Sequence, residues 1–156
     1  MIFTSIFIYY LYNAAEYFFH KSGHYRHKYN YIYHLHMKHH RVHYPISALM
    51  SKTYRSNNEG FVAYTPPALI IVYGLYITLP YQDFILSMIQ IIIMVCMNEY
   101  IHTQIHTENS WLEKYKWFNN TRQLHFIHHK KLISNFTFGV DFSIDKLNGT
   151  YLKKII

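Results

Sequence analysis

Three long apolar segments alternate with polar, histidine-rich ones along the chain. Ile2–Phe19 reads IFTSIFIYYLYNAAEYFF with a lone acid at Glu16, Phe61–Leu79 reads FVAYTPPALIIVYGLYITL, and Phe84–Tyr100 reads FILSMIQIIIMVCMNEY. Each sits at the short end of the roughly 17–25 residues that a helix needs to cross hydrocarbon. They predict helices at about 2–19, 61–79 and 84–101, with polar segments at 20–55 and 102–156. Between the second and third, Leu79-Pro80-Tyr81-Gln82-Asp83 carries a proline and an acid and reads as the tight turn of a helical hairpin. Three such stretches in a chain of 156 residues would leave a soluble domain little surface to wet. The expected fold class is therefore all-α, a single integral-membrane helical bundle spanning 1–156.

Composition and charge sharpen this picture. Hydrophobic residues make up 51% of the chain and charged ones 15%, which excludes a disordered chain. The net charge of +7 raises the question of nucleic acid. All 15 Lys and Arg, however, fall in two blocks, Lys21–Arg55 and Lys114–Lys154, and the most apolar part of the chain has none. A nucleic-acid partner is excluded on that ground, and the pattern reads as membrane topology. Cytosolic segments collect Lys and Arg, so both blocks are expected in the cytosol, with the short N-terminus and the hairpin turn on the far side. The first segment has no basic start and no small-residue cleavage site, so it is read as a retained helix. The acceptor patterns at Asn119, Asn135 and Asn148 then face the cytosol and stay unglycosylated. Trp111 and Trp117 flank Lys114 and Lys116, a composition suited to the membrane interface. The single cysteine, Cys96, cannot form an intrachain disulfide.

The 13 histidines are grouped. His20 and His24 read HxxxH, His36, His39 and His40 read HxxHH, His102 and His106 read HxxxH, and His125, His128 and His129 read HxxHH. Residues three or four apart share a helix face, so each HxxxH aims two imidazoles at one point. Each HxxHH does the same, with its middle residue alongside. Every group lies at or beyond the expected cytosolic end of an apolar segment, so the four are expected to converge just outside the bilayer. An ion takes four to six ligands, so ten imidazoles imply two ions. Sulfur-free, nitrogen-rich coordination suits iron, copper, nickel or zinc, and spacing alone leaves that choice open. His27, His34 and His43 lie outside the boxes and are read as neighbours that hydrogen-bond the ligands. Glu16 and Glu99 precede boxes on the same helix face, a placement suited to orienting imidazoles.

The order HxxxH, HxxHH, HxxxH, HxxHH between hydrophobic segments resembles the integral-membrane fatty acid hydroxylase/sterol desaturase superfamily. His36–Ile46, HMKHHRVHYPI, is similar to its HxxHHxxxxP stretch. The tail His125–Tyr151, HFIHHKKLISNFTFGVDFSIDKLNGTY, is similar to its closing signature, with Ile144 in place of a Trp and Asn148 in place of a Phe. The resemblance covers about Glu16 to Tyr151. The early Glu-then-HxxxH and the compact size also look like the small bacterial-type carotene hydroxylases of that superfamily.

This resemblance implies a cytosol-facing site of two irons, held by the ten box histidines, for which zinc can substitute in purified protein. It implies O₂-dependent hydroxylation or desaturation of a lipid in a multi-pass membrane protein, of the endoplasmic reticulum in a eukaryotic host. The sequence carries no His-Pro-Gly-Gly haem motif, so the two electrons are expected from a separate cytochrome-b- or ferredoxin-type donor. No catalytic side chain is expected beyond the metal ligands, because an alkyl C–H is far too weak an acid for general base catalysis. Fatty acyl, sphingolipid, sterol and carotenoid substrates all stay open. The competing reading is a non-catalytic membrane metal-binding or transport protein. Transporters usually place ionisable ligands mid-membrane, whereas these boxes lie at segment ends.

Overall fold

The computed structural model describes residues 2–56, 59–139 and 141–154. Its helices are α1 (Ile2–Ser22), α2 (Tyr31–Lys38), α3 (Glu59–Thr78), α4 (Tyr81–Ile105), α5 (Lys116–Lys130) and α6 (Ser143–Leu147). A π-helical turn, His39–His43, continues α2, and a 3₁₀ turn, Trp111–Lys114, precedes α5. Among the described residues there is no β-strand, only an isolated bridge between Ser51 and Thr107. The fold is all-helical, as the hydropathy pattern predicts.

The apolar helices run further than their apolar stretches. α1 continues past Phe19 and carries His20, and α4 continues to Ile105 and carries His102. The first histidine of each HxxxH box thus rides on an apolar helix, and the second stands just beyond its end. Among the described residues, α3 and α4 are long and apolar enough to cross a membrane. The first segment, expected to be a third such helix, is not among them, because Asn13, Glu16 and its tyrosines lower its hydropathy.

α3 and α4 form the expected hairpin. Pro80, with φ −54 and ψ 144, sits at the N-cap of α4, where no backbone N–H is needed. α1 lies parallel to α4. Thr4 Oγ1 donates to Asp83 Oδ2 (3.3 Å), Gln90 Nε2 to the Ser5 carbonyl (2.9 Å), and Asn98 hydrogen-bonds Glu16. These contacts follow one another down both helices. The outer face of α3 carries Ile70, Tyr73 and Ile77 exposed, the inside-out pattern of a lipid-facing helix.

Beyond the polar end of α4 a small core forms from Ile105, Leu112 and Phe118, with Ile101 and Phe126 against it. Burying each such side chain stabilises by about 1.5–3 kcal/mol. Arg122 on α5 fixes the join. Its Nη2 donates to the carbonyls of Gln104 (2.8 Å) and Thr107 (3.1 Å), and its Nη1 to Glu113 Oε1 (2.7 Å). The last carbonyls of α4 lie at the negative end of its dipole, so a guanidinium belongs there. α5, which carries the fourth histidine box, is thereby set against the helix end that carries the third.

Candidate metal centre

The four boxes meet at this end of the bundle and sort into two clusters. Ligand nitrogens of His20, His24, His36, His40 and His128 all lie within 4.8 Å of one another, as do those of His39, His106, His125 and His129. His102 stands beside the second cluster, its ring centroid 4.8 Å from that of His39 and 4.9 Å from that of His125. All ten box histidines are thus brought together, five around each point.

The HxxHH boxes do not act as expected. Each sends its first and third histidines to one cluster and its middle one to the other. His36 and His40 join the first while His39 joins the second; His125 and His129 join the second while His128 joins the first. The reason is helical geometry. Residues i and i+4 share a face, but consecutive residues point about 100° apart. In the second box the π-helical turn widens the backbone here, with Tyr44 N–H bonding the His39 carbonyl (2.9 Å). Each HxxHH therefore ties the two clusters together.

In the first cluster four imidazoles close a ring through their Nε2 atoms: His24 to His36 (2.9 Å), His36 to His40 (2.9 Å), His40 to His128 (3.2 Å) and His128 to His24 (3.1 Å). In the second, His125 Nε2 lies 2.9 Å from His106 Nε2 and 3.0 Å from His129 Nε2. The Nε2 atoms of His20, His39 and His102 are buried without a hydrogen-bond partner.

The outward nitrogens explain which atom faces in. His128 Nδ1 meets the Ser134 carbonyl (2.6 Å), His106 Nδ1 that of Leu49 (2.7 Å), His129 Nδ1 that of Tyr44 (3.1 Å), and His20 Nδ1 that of Phe136. A carbonyl only accepts, so Nδ1 carries the proton and Nε2 presents its lone pair inward. Burial, reinforced by neighbouring imidazoles, holds the other ring pKa values down. His24 is lowered to about 2, and His36, His39, His40, His125 and His129 lie well below the ordinary 6.5. Burial likewise lowers His106 to about 3 and His128 to about 4. The rings are neutral donors at pH 7. Converging lone pairs with orphaned Nε2 atoms among them are what a pair of transition-metal ions requires.

Two loops supply those carbonyls, one after each HxxHH box. Residues 134–136 follow the fourth box and serve the first cluster; Tyr44 and Leu49 follow the second box and serve the second. In the 134–136 loop Asn135 adopts φ 51, a left-handed conformation that Asn tolerates and that helps bring the flanking carbonyls inward. Its side chain donates to the Leu124 and Leu152 carbonyls (3.1 and 2.8 Å) and accepts from Leu152 N–H (2.8 Å). Asp145, fully buried, accepts from the N–H groups of Phe136 (2.8 Å) and Thr137 (3.0 Å) and from the hydroxyls of Thr137 (2.5 Å) and Thr150 (2.7 Å).

The remaining predicted residues sit elsewhere. His27 and His34 are exposed, and His34 Nε2 bonds the Lys28 carbonyl (3.2 Å). His43 pairs with Glu59 Oε1 (3.0 Å), which also holds Lys38 Nζ (2.8 Å). None of the three hydrogen-bonds a cluster imidazole. Glu16 accepts from Phe138 N–H (2.6 Å) rather than from a ring, so its expected role of orienting an imidazole is corrected to one at a remove. The Phe138 ring stacks on His20 at 4.2 Å and leans on His102 at 4.6 Å. Glu99 lines a cavity beside His102 without bonding a ring. The imidazole partners that sequence reading missed are tyrosines and carbonyls: Tyr54 OH lies 3.2 Å from His102 Nδ1, and Tyr64 OH 3.4 Å from His36 Nδ1. Seventeen tyrosines gave no spacing signal by which to select these two.

A cavity of about 500 Å³ opens between α1, α3 and α4 and ends on His36, His39, His102 and Phe138. Its deeper wall is aliphatic, with Ile8, Leu11, Val72 and Ile91 among its side chains.

The family model described as fatty acid hydroxylase matches residues 5–150 of the chain. No curated protein and no solved structure matches it.

Proposed function

Because the chain belongs to the fatty acid hydroxylase family, we propose that it is a membrane-bound diiron oxygenase that hydroxylates or desaturates an unactivated C–H bond of a lipid. The observation that carries this reading is the junction of the two histidine clusters with the apolar cavity. An extended lipid in the cavity brings a methylene to within reach of the ions that the clusters are built to hold. In hydroxylation, one oxygen atom of O₂ enters the C–H bond and the other leaves as water, consuming two external electrons and two protons. The metals, when bound, supply the activation of O₂; the chain supplies the ligands, the aliphatic wall and the exclusion of water.

Five imidazole nitrogens gather at the first cluster, one more than the four ligands of a structural zinc site, and the set contains no sulfur. The charge pattern supports a cytosolic site, since the clusters lie at the end of the bundle that carries both basic blocks. A separate electron-donor protein of the cytochrome-b or ferredoxin type completes the system, and the basic face suits an acidic partner. A purely metal-binding role is disfavoured because it gives an aliphatic cavity ending on the ligands nothing to do.

The test is expression in a host membrane followed by mass spectrometry of the extracted lipids. Wild type should yield lipids carrying one added oxygen, labelled by ¹⁸O₂, or lacking two hydrogens. A His128→Ala/His129→Ala control should yield neither. Lipid profiles identical to the control across several hosts would remove the enzymatic reading.

A further inference from the structure

α1 and α4 each place a polar residue one turn before a box histidine. Glu16 precedes His20 by four residues and Asn98 precedes His102 by four, so each pair shares a helix face. Asn98 hydrogen-bonds Glu16, which ties the two helices together one turn below the imidazoles. The same carboxylate accepts from Phe138 N–H (2.6 Å), and the preceding N–H, that of Thr137, is held by Asp145 (3.0 Å). Two carboxylates thus grip successive N–H groups and fix the Phe138 backbone. Its buried ring bridges the two helices at the level of the imidazoles. It stacks on His20 at 4.2 Å and 22°, and leans on His102 at 4.6 Å and 37°. It also reaches His125, at 5.3 Å.

Other supports of the imidazoles serve one cluster each. The Phe136 ring and carbonyl meet His20, His24 and His128, all of the first cluster. The Tyr44 ring and carbonyl meet His39, His106 and His129, all of the second. Phe138 departs from that rule, with one histidine of the first cluster and two on the side of the second. His20 and His102 are also two of the three box histidines whose Nε2 atoms are buried without a partner. The ring therefore braces imidazoles whose inward lone pairs nothing else in the chain holds. We propose that Phe138 is a positioning residue shared by both metal sites, a strut clamped by Glu16 and Asn98 that fixes how far apart the two ions sit. This rests on the reading of the clusters as a pair of ion sites and deepens it, by giving the pair one common support. A phenyl ring suits the task, because it is rigid and offers no donor to compete for the imidazole lone pairs. Without it, His20 and His102 turn independently and both sites loosen together.

The experiment loads purified protein in nanodiscs with copper(II), an ion that imidazole binds well. Competition with a chelator reads the affinity of each site. The half-field electron paramagnetic resonance transition, which weakens steeply as two copper ions move apart, reads their spacing. Wild type should bind two copper ions and show the half-field signal. Phe138→Ala should weaken both sites about tenfold and change that signal. Glu16→Leu, which removes the acceptor, should weaken both to a lesser extent. Glu16→Gln, whose side-chain oxygen still accepts from the Phe138 N–H, should behave as wild type. Glu16→Leu/Phe138→Ala should be no worse than Phe138→Ala alone, because the clamp acts through the ring. Phe136→Leu, the matched control, should weaken the first site only. Loss at one site alone in Phe138→Ala, or losses that add in full in the double variant, overturns the strut. So does a wild type that binds a single copper ion. A shared loss in the copper form, with no oxidised lipid from the iron form, leaves the strut standing and removes the oxygenase reading instead. Should Phe138→Ala fail to fold, Phe138→Leu, which keeps apolar bulk and loses the stacking face, carries the same decision.

Discussion

The two histidine clusters have the same parts list and different supports. Each draws two histidines from an HxxxH box, two from one HxxHH and one from the other, counting His102 with the second cluster. The first is braced by the 134–136 loop, which depends on one buried carboxylate, Asp145, and one left-handed asparagine, Asn135. The second is braced by Tyr44 and Leu49, whose loop is held through the Ser51 N–H to His106 carbonyl bond (3.0 Å) and by Tyr44 OH accepting from Arg55 N–H (2.6 Å). The first cluster therefore leans on a single concentrated anchor near the C-terminus, and the second on several weaker ones. That difference says why the residues after the fourth histidine box matter to the site: the 134–136 loop and Asp145 form a wall of the first cluster.

The largest effect should come from Asp145→Ala. It leaves the Phe136 and Thr137 N–H groups buried and unpaired, at about 1–3 kcal/mol each. Metal should leave the first cluster before the second, read as biphasic release to a chelator. Equal, simultaneous loss from both would erase the distinction between the clusters.

Acid should next break the metal-free protein. His128 has its pKa lowered to about 4 by burial and is near 6.5 when unfolded, so below pH 6.5 the unfolded chain binds the extra proton and gains stability. Each such group costs the fold up to about 1.4 kcal/mol per pH unit until its folded pKa is reached. Denaturation of the stripped protein should begin as pH falls through 6.5, while the metal-loaded form resists to lower pH. A stripped protein equally stable at pH 7 and pH 5 would contradict burial of neutral imidazoles.

Gly23→Ala addresses the first cluster alone. A Cβ there would meet His36 Cγ and Cδ2 at 2.9 Å and the His20 carbonyl at 3.0 Å, displacing one ligand. Affinity of that site should fall about 10–100-fold, as for disturbed ligand orientation generally, with the second unchanged. Tyr54→Phe is its smaller counterpart. It removes the hydroxyl beside His102 Nδ1 and should cost about 1 kcal/mol, confined to the second cluster.

Much of the fold was legible because apolar length is a long-range signal that survives without contacts. The hairpin turn at Leu79-Pro80 and the helices through Phe61–Leu79 and Phe84–Tyr100 follow from it, as does convergence of the four boxes. The sorting of His39 and His128 away from their box partners was not, since it depends on where two helices face each other. The parts played by Tyr54, Tyr64 and the Leu49 carbonyl were equally hidden. Backbone acceptors leave no trace in residue identity, and a tyrosine's role depends on which ring it meets. Ile144 and Asn148, which depart from the closing signature, leave Asp145, Gly149 and Thr150 in place, and two of those three carry the loop-holding bonds.

The measurement that tests the central claim most directly is metal content per chain in protein purified from iron-replete cells, for wild type and for two paired variants. Two irons per chain are predicted for wild type. His24→Ala/His36→Ala should leave one iron, and His106→Ala/His125→Ala should leave one iron of a different spectrum. A wild-type chain holding one zinc and no iron, or two variants that lose both metals together with their fold intact, would contradict two separate histidine-bound iron sites.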